Sequence, residues 1–169
     1  MPRTIKNPLA RSWCSIDPGI EMGVACWYGN TLFAVHDIAG KGKTWQVAAD
    51  DAVAQAWVAM KGANYNRDLR MVACEWPQYF NSSGGRVSAQ SGSLLKLVTV
   101  CGRIEQIVKS EGWGWKPVPV NQWKGQWKKE HVISRVTPLI PEYLREPSKY
   151  WSTHQWEAAG LGYYLLGDI

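Results

Sequence analysis

The chain reads as an α/β domain, a five-stranded mixed sheet flanked by helices on both faces. Three observations predict it. Three strand-like apolar runs follow one another near the start, joined by an Asp-Pro-Gly corner and a Gly-Asn turn, the pattern of an antiparallel meander. Beyond them, helical and strand-like runs alternate, as parallel strands joined by crossovers require. Hydrophobic residues make up 46% of 169 positions, enough for a core on each side of a sheet, and no linker-like stretch divides the chain.

Residues 13–17 and 22–28 are the first two strands, with Asp17-Pro18-Gly19-Ile20-Glu21 turning the chain between them. Gly29-Asn30 is a hairpin turn, and residues 31–38 return as a third strand. Residues 40–43 are a loop. Over residues 46–60 the apolar positions Val47, Val53, Ala54, Trp57 and Val58 fall toward one side of a helix, with Trp57 read as core. Residues 69–74 form a short apolar strand with Glu75 at its exit. Residues 81–86 are a Ser/Gly loop, and a long helix runs over about 87–110, closed by Glu111-Gly112. Residues 113–120 are a fifth strand, demoted toward its end by Pro117 and Pro119. A basic helix spans about 128–139, after which Pro138, Pro141 and Pro147 break the chain into turns. The last helix starts near Thr153 and ends by Gly167. Residues 1–11 read as a flexible basic N-terminal segment and residues 12–169 as one domain.

A formal net charge of +5 favours an anionic partner. Eleven tryptophans are an unusual number, and several alternate with Lys or Gly: Trp113-Gly-Trp115-Lys116 and Trp123-Lys124-Gly-Gln-Trp127-Lys128-Lys129. Indole rings beside cations suit a surface where bases stack and phosphates are neutralised. The same rings could equally cover a small core with their cationic neighbours in solvent, and both readings stand open. Cys14, Cys26, Cys74 and Cys101 show no CxxC pair and read as small buried thiols of a reducing compartment. The start of the chain lacks an apolar signal core, and no run of 18 apolar residues occurs, so a soluble intracellular protein with no membrane partner is expected.

The chemistry centres on acidic positions. Asp17 lies on an apolar strand, where a carboxylate is costly to bury without a cationic partner. A divalent metal is the leading candidate for that partner. Ser152 and Gln155 have capping-box spacing immediately before an apolar helix, which puts His154 and Glu157 in its first turns on one face. The positive end of the helix dipole stabilises the Glu157 carboxylate and disfavours the imidazolium of His154, leaving the neutral form that can bind a metal. Adjacent strands can bring Asp17 and Glu75 together, and carboxylates so crowded repel unless cations neutralise them. Two hard divalent ions would do so while activating water and stabilising the leaving oxygen of a phosphodiester.

Ile16-Asp17-Pro18-Gly19 with Gly23 and Val24, then Ala73-Cys74-Glu75, then His154-Gln-Trp-Glu157-Ala-Ala-Gly-Leu-Gly resemble the RuvC-type Holliday junction resolvases of the RNase H-like nuclease superfamily. The resemblance implies an RNase H-like fold and a crossover junction endodeoxyribonuclease that leaves 5′-phosphate and 3′-hydroxyl ends. It implies metal positions at Asp17, Glu75, His154 and Glu157, holding two Mg²⁺ with Mn²⁺ as substitute. Many members carry Asp at both helix positions and some carry His at the first, so Glu157 departs by one methylene. Lys124 and Lys129 resemble the family's two lysines near the scissile phosphate, and Lys128 could substitute for either. Tyr79 or Phe80 could stack on an unpaired base, with Arg86 a further DNA contact. The long helix over about 87–110 carries more apolar residues than one buried stripe needs, which fits the family's homodimer. The expected partner is branched DNA, in the cytoplasm of a bacterial or phage-infected cell. Rival readings are a flap, branch or RNA–DNA hybrid nuclease, and a non-catalytic branched-DNA-binding protein on the same fold. A sugar-kinase or actin-like ATPase needs a duplicated domain that 169 residues cannot supply.

Overall fold

The computed structural model describes residues 11–63, 69–78 and 92–169. Strands β1 (Ser12–Asp17), β2 (Glu21–Tyr28) and β3 (Thr31–Ala39) form the antiparallel meander that the turns predicted. Helix α1 (Trp45–Ala63) crosses to β4 (Leu69–Trp76), which lies parallel to β1, and α2 (Ser93–Ser110) precedes β5 (Gly114–Pro119), parallel to β4. The sheet order is β3-β2-β1-β4-β5, so β1 is central. A one-turn helix α3 (Val120–Trp123), then α4 (Lys129–Val136), a 3₁₀ turn (Thr137–Leu139), α5 (Glu142–Ser148) and α6 (Thr153–Leu166) complete the described chain.

Alternation along the central strands divides two cores. Cys14, Ile16, Val24 and Cys74 pack with α1 and α2 on one face. Trp13, Ala25, Trp27 and Ala73 pack with α4 and α6 on the other. Both faces of β1 are therefore covered, and all six of its residues are buried, Asp17 among them. Pro117 and Pro119 sit on an edge strand, where a missing N–H leaves no ladder partner unsatisfied. All four cysteines are buried free thiols, three on strands and one on α2. Among the described residues, no helix is long and apolar enough to cross a membrane.

Four details differ from the sequence reading. Helix α1 buries a stripe of small residues, Ala48, Ala49, Ala52 and Ala56, which lets it lie close on the sheet. Val47 and Val58 are consequently exposed, and Trp57, expected in the core, is 37% exposed with its Nε1–H donating to Glu111 Oε1 at 2.9 Å. Strand β4 runs two residues further than expected, so Glu75 lies inside the strand, paired in register with Val118 of β5. The expected turns after Pro138 include a real helix, α5, with Pro141 at its N-cap and Pro147 near its end, where the missing N–H costs one intrahelical bond. The basic helix is α4, whose last expected turn is the 3₁₀ segment. Residues 87–91 of the expected long helix lie outside the described residues.

Candidate metal centre

The register of the sheet assembles the site. Ile16 of β1 pairs with Cys74 of β4, so the next residues, Asp17 and Glu75, emerge side by side. Opposite Asp17 on β2 is Gly23. A Cβ there would fall 2.0 Å from the His154 backbone oxygen, so the bare glycine lets the first turn of α6 lie over the strand. The helix is tied to β1 by Ser15, whose Oγ donates to the Ala158 carbonyl at 2.7 Å and accepts from Trp27 Nε1 at 2.9 Å. The capping box expected from the sequence is formed. Gln155 N–H donates to Ser152 Oγ at 3.3 Å, and Ser152 N–H donates to Gln155 Oε1 at 2.9 Å. Ser152 Oγ also donates to Asp37 Oδ1 of β3 at 2.7 Å, anchoring the helix start at the sheet's far side.

One oxygen from each of Asp17, Glu75 and Glu157 lies within 4.8 Å of the other two. The extra methylene of Glu157 does not carry its carboxylate away from the cluster. His154 joins at the edge, its Nδ1 2.6 Å from Asp17 Oδ2 and its Nε2 3.7 Å from Glu21 Oε2. Trp123 closes α3 beside the site and donates its indole N–H to Glu75 Oε2 at 2.9 Å. Lys124 follows, with Nζ 2.5 Å from Glu157 Oε2 and 3.6 Å from Glu75 Oε2.

Burial dominates the electrostatics. It pushes the Glu75 carboxyl up to about 7, helped by the charges of Asp17 and Glu157 and opposed by Lys124 and the Trp123 hydrogen bond. Asp17 is raised for the same first reason, although its hydrogen bond to His154 pulls the other way. Burial alone would lower Lys124, but Glu75 and Glu157 outweigh it and hold the ammonium charged. His154 is raised chiefly by its hydrogen bond to Asp17, against partial burial. This corrects the helix-dipole argument. The charges of Asp17, Glu157 and Glu21 add to that hydrogen bond and favour the imidazolium.

Of the three expected lysines, the structure brings Lys124 into the carboxylate cluster, whereas Lys128 and Lys129 are exposed at the N-terminal end of α4. Tyr79, Phe80 and Arg86 lie outside the described residues. The tryptophan question resolves ring by ring. Trp113 and Trp123 are core, while Trp127 is half-buried and carries the Arg135 guanidinium 4.2 Å from its ring centroid. The contact of Trp123 with Glu75 was hidden in the sequence, because a Trp-Lys pair after a strand reads equally as surface. Three converging carboxylates supply hard oxygen donors, a set compatible with Mg²⁺ or Mn²⁺.

A solved structure described as Thermus thermophilus RuvC matches with a TM-score of 0.59 at 17% identity, covering 93% of this chain and 97% of that one. The chain has the RuvC fold. A second structure, T. thermophilus RuvC in complex with Holliday junction substrate, matches with a TM-score of 0.56 at 14% identity, covering 94% and 97% of the two chains. No protein-family model and no curated protein matches the sequence. The RuvC fold thus rests on architecture, and it includes the five-stranded mixed sheet with helices on both faces expected of an RNase H-like domain.

Proposed function

We propose that this chain is a metal-dependent, structure-selective endonuclease that resolves four-way DNA junctions as a homodimer. The observation that carries the reading is the convergence of Asp17, Glu75 and Glu157 from β1, β4 and α6 of a RuvC fold. Asp17, Glu75 and Glu157, with His154 at the edge, would hold two Mg²⁺, with Mn²⁺ as substitute. Such ions supply Lewis-acid activation and charge neutralisation at a phosphodiester. The chain's own residues hold the geometry. Trp123 fixes the Glu75 carboxylate by its indole N–H, and the Ser15 hydrogen bonds fix α6, and with it Glu157, over β1. Lys124, already at the carboxylates, is the lysine within reach of a bound phosphate, and exposed Lys128 and Lys129 add backbone attraction. The products are 5′-phosphate and 3′-hydroxyl ends.

The homodimer places one site on each of two symmetry-related strands of a junction. In support, α2 exposes Leu95 and Val98, three residues apart on one side. The test compares four-way junctions, flaps, duplexes and RNA–DNA hybrids cut by one preparation in Mg²⁺ and in Mn²⁺. The expected result is paired junction incision, with Asp17→Asn reducing the rate beyond the roughly 100-fold that losing an outer-shell partner costs. Preference for flaps or hybrids would move the reading to another RNase H-like nuclease. Junction binding without incision in either metal would make the protein a non-catalytic binder.

A further inference from the structure

The Lys124 ammonium stands where a cation is needed. It contacts Glu157 Oε2 at 2.5 Å and lies 3.6 Å from Glu75 Oε2, and both carboxylates belong to the group of three whose oxygens lie within 4.8 Å of one another. The ion pairs are well shielded, with the Lys124, Glu75 and Glu157 side chains only 16%, 12% and 14% exposed. Shielding of this degree makes an ion pair resistant to salt and costly to leave half-made. The position of the lysine is set by its backbone. Lys124 N–H and Gly125 N–H both donate to the Val120 carbonyl, and Gly125 takes φ 55 to reverse the chain directly after it. The side chain is therefore aimed into the cluster from a short, closed turn off β5.

A divalent ion on Glu75 and Glu157 and an ammonium on the same oxygens exclude one another, because like charges a few ångströms apart repel strongly at a site with little water. We propose that Lys124 is a resident counter-cation that competes with divalent metal for Glu75 and Glu157, and that metal loading releases it to take a phosphate oxygen. This rests on the metal-site reading above and adds to it a coupling. The lysine that neutralises substrate becomes available once the ions are in place. Without metal the same group neutralises the carboxylates and is withheld from DNA.

Two measurements test the coupling without any cleavage assay. In the first, Mn²⁺ alone is titrated into the DNA-free protein, and free Mn²⁺ is read by electron paramagnetic resonance. Lys124→Met should bind roughly tenfold more tightly than the parent, the shift expected when a competing contact of ordinary strength is removed. Unchanged or weaker binding in Lys124→Met overturns the proposal. The second measurement needs no variant. Wild-type protein is acylated with an amine-reactive reagent in EDTA and in saturating Mg²⁺, and modification is mapped by mass spectrometry with Lys128 and Lys129 as internal references. Lys124 should be protected in EDTA and several-fold more reactive in Mg²⁺, and equal reactivity in both overturns the proposal. The two failures are separable. Wild-type protein that binds no Mn²⁺ removes the metal-site reading and this inference together, whereas normal wild-type binding with a silent Lys124 removes the inference alone.

Discussion

Glu75→Gln should make the protein more stable at alkaline pH in the absence of metal. The Glu75 carboxyl is pushed from an ordinary value of 4.5 to about 7, first by burial and then by the charges of Asp17 and Glu157. Its folded value lies above its unfolded value, so between those limits the native state binds more protons than the unfolded chain. Stability therefore falls as pH rises through that window. The displacement, 7 − 4.5, is about 2.5 units, and at about 1.36 kcal/mol per unit the full effect near pH 8 is roughly 3 kcal/mol. Gln keeps the shape and still accepts the Trp123 N–H, but carries no charge to desolvate. In EDTA at pH 8 the variant should melt about 5–10 °C above the parent, the shift expected for about 2–3 kcal/mol in a chain of this size. At pH 4.5 the two should nearly coincide. Saturating Mg²⁺ should narrow or reverse the gap, because an ion that binds only the folded parent adds stability by mass action. The reasoning fails if urea or thermal melts in EDTA give no gain at pH 8, or the same gain at pH 4.5.

Two further substitutions probe the donor set and the packing that positions it. His154→Asp replaces the cluster's one nitrogen donor with oxygen, and the ratio of cleavage rates in Mn²⁺ and Mg²⁺ should fall a few-fold; an unchanged or higher ratio counts against His154 as a ligand. Gly23→Ala puts a methyl 2.0 Å from the His154 backbone oxygen and should cost about 3 kcal/mol or more as α6 is driven off β2, measured by denaturant midpoint. Gly62→Ala in α1, where an added Cβ meets nothing within 4 Å, is the control and should gain up to about 1 kcal/mol. A Gly23→Ala midpoint close to the parent's would contradict the close approach of helix and strand.

What the sequence disclosed was local. The Asp-Pro-Gly corner, the Gly29-Asn30 turn and the Ser152–Gln155 capping box each close within a few residues, so their physics is complete in a short window. Asp17 stands out for a related reason, as a charge directly after core Ile16 on a strand whose six residues are all buried. The apolar run of β4 ends at Cys74, so the sequence puts Glu75 at the strand's exit, whereas the strand continues through Glu75 to Trp76. The burial of Glu75 is made tolerable by Trp123 and Lys124, nearly fifty positions further on. Trp57 misled in the opposite direction. Its bulk suggested core, yet α1 approaches the sheet through alanines and leaves the indole at the flank, hydrogen-bonded to Glu111 beyond the end of α2. The start of α6 by itself favours a neutral His154, whereas Asp17 and Glu21 from the sheet and Glu157 one turn along the same helix raise it toward the imidazolium.

The cluster divides its labour in a way that bears on how it could work. Its geometry is set by groups that carry no charge. The Ser15 hydroxyl is held between the Trp27 indole and the Ala158 carbonyl, Gly23 leaves room for α6, and the Trp123 indole fixes Glu75. None of these need change when ions arrive. The contacts that would have to change are ion pairs, Lys124 with Glu157 and His154 with Asp17, made by side chains that can swing to new partners. A site built the other way, with its lysine fixing the carboxylates and its indole exchanging, would lose its shape each time a cation entered. Keeping the fixed and exchangeable contacts on different residues lets three carboxylates from β1, β4 and α6 hold one arrangement while the cation between them is replaced.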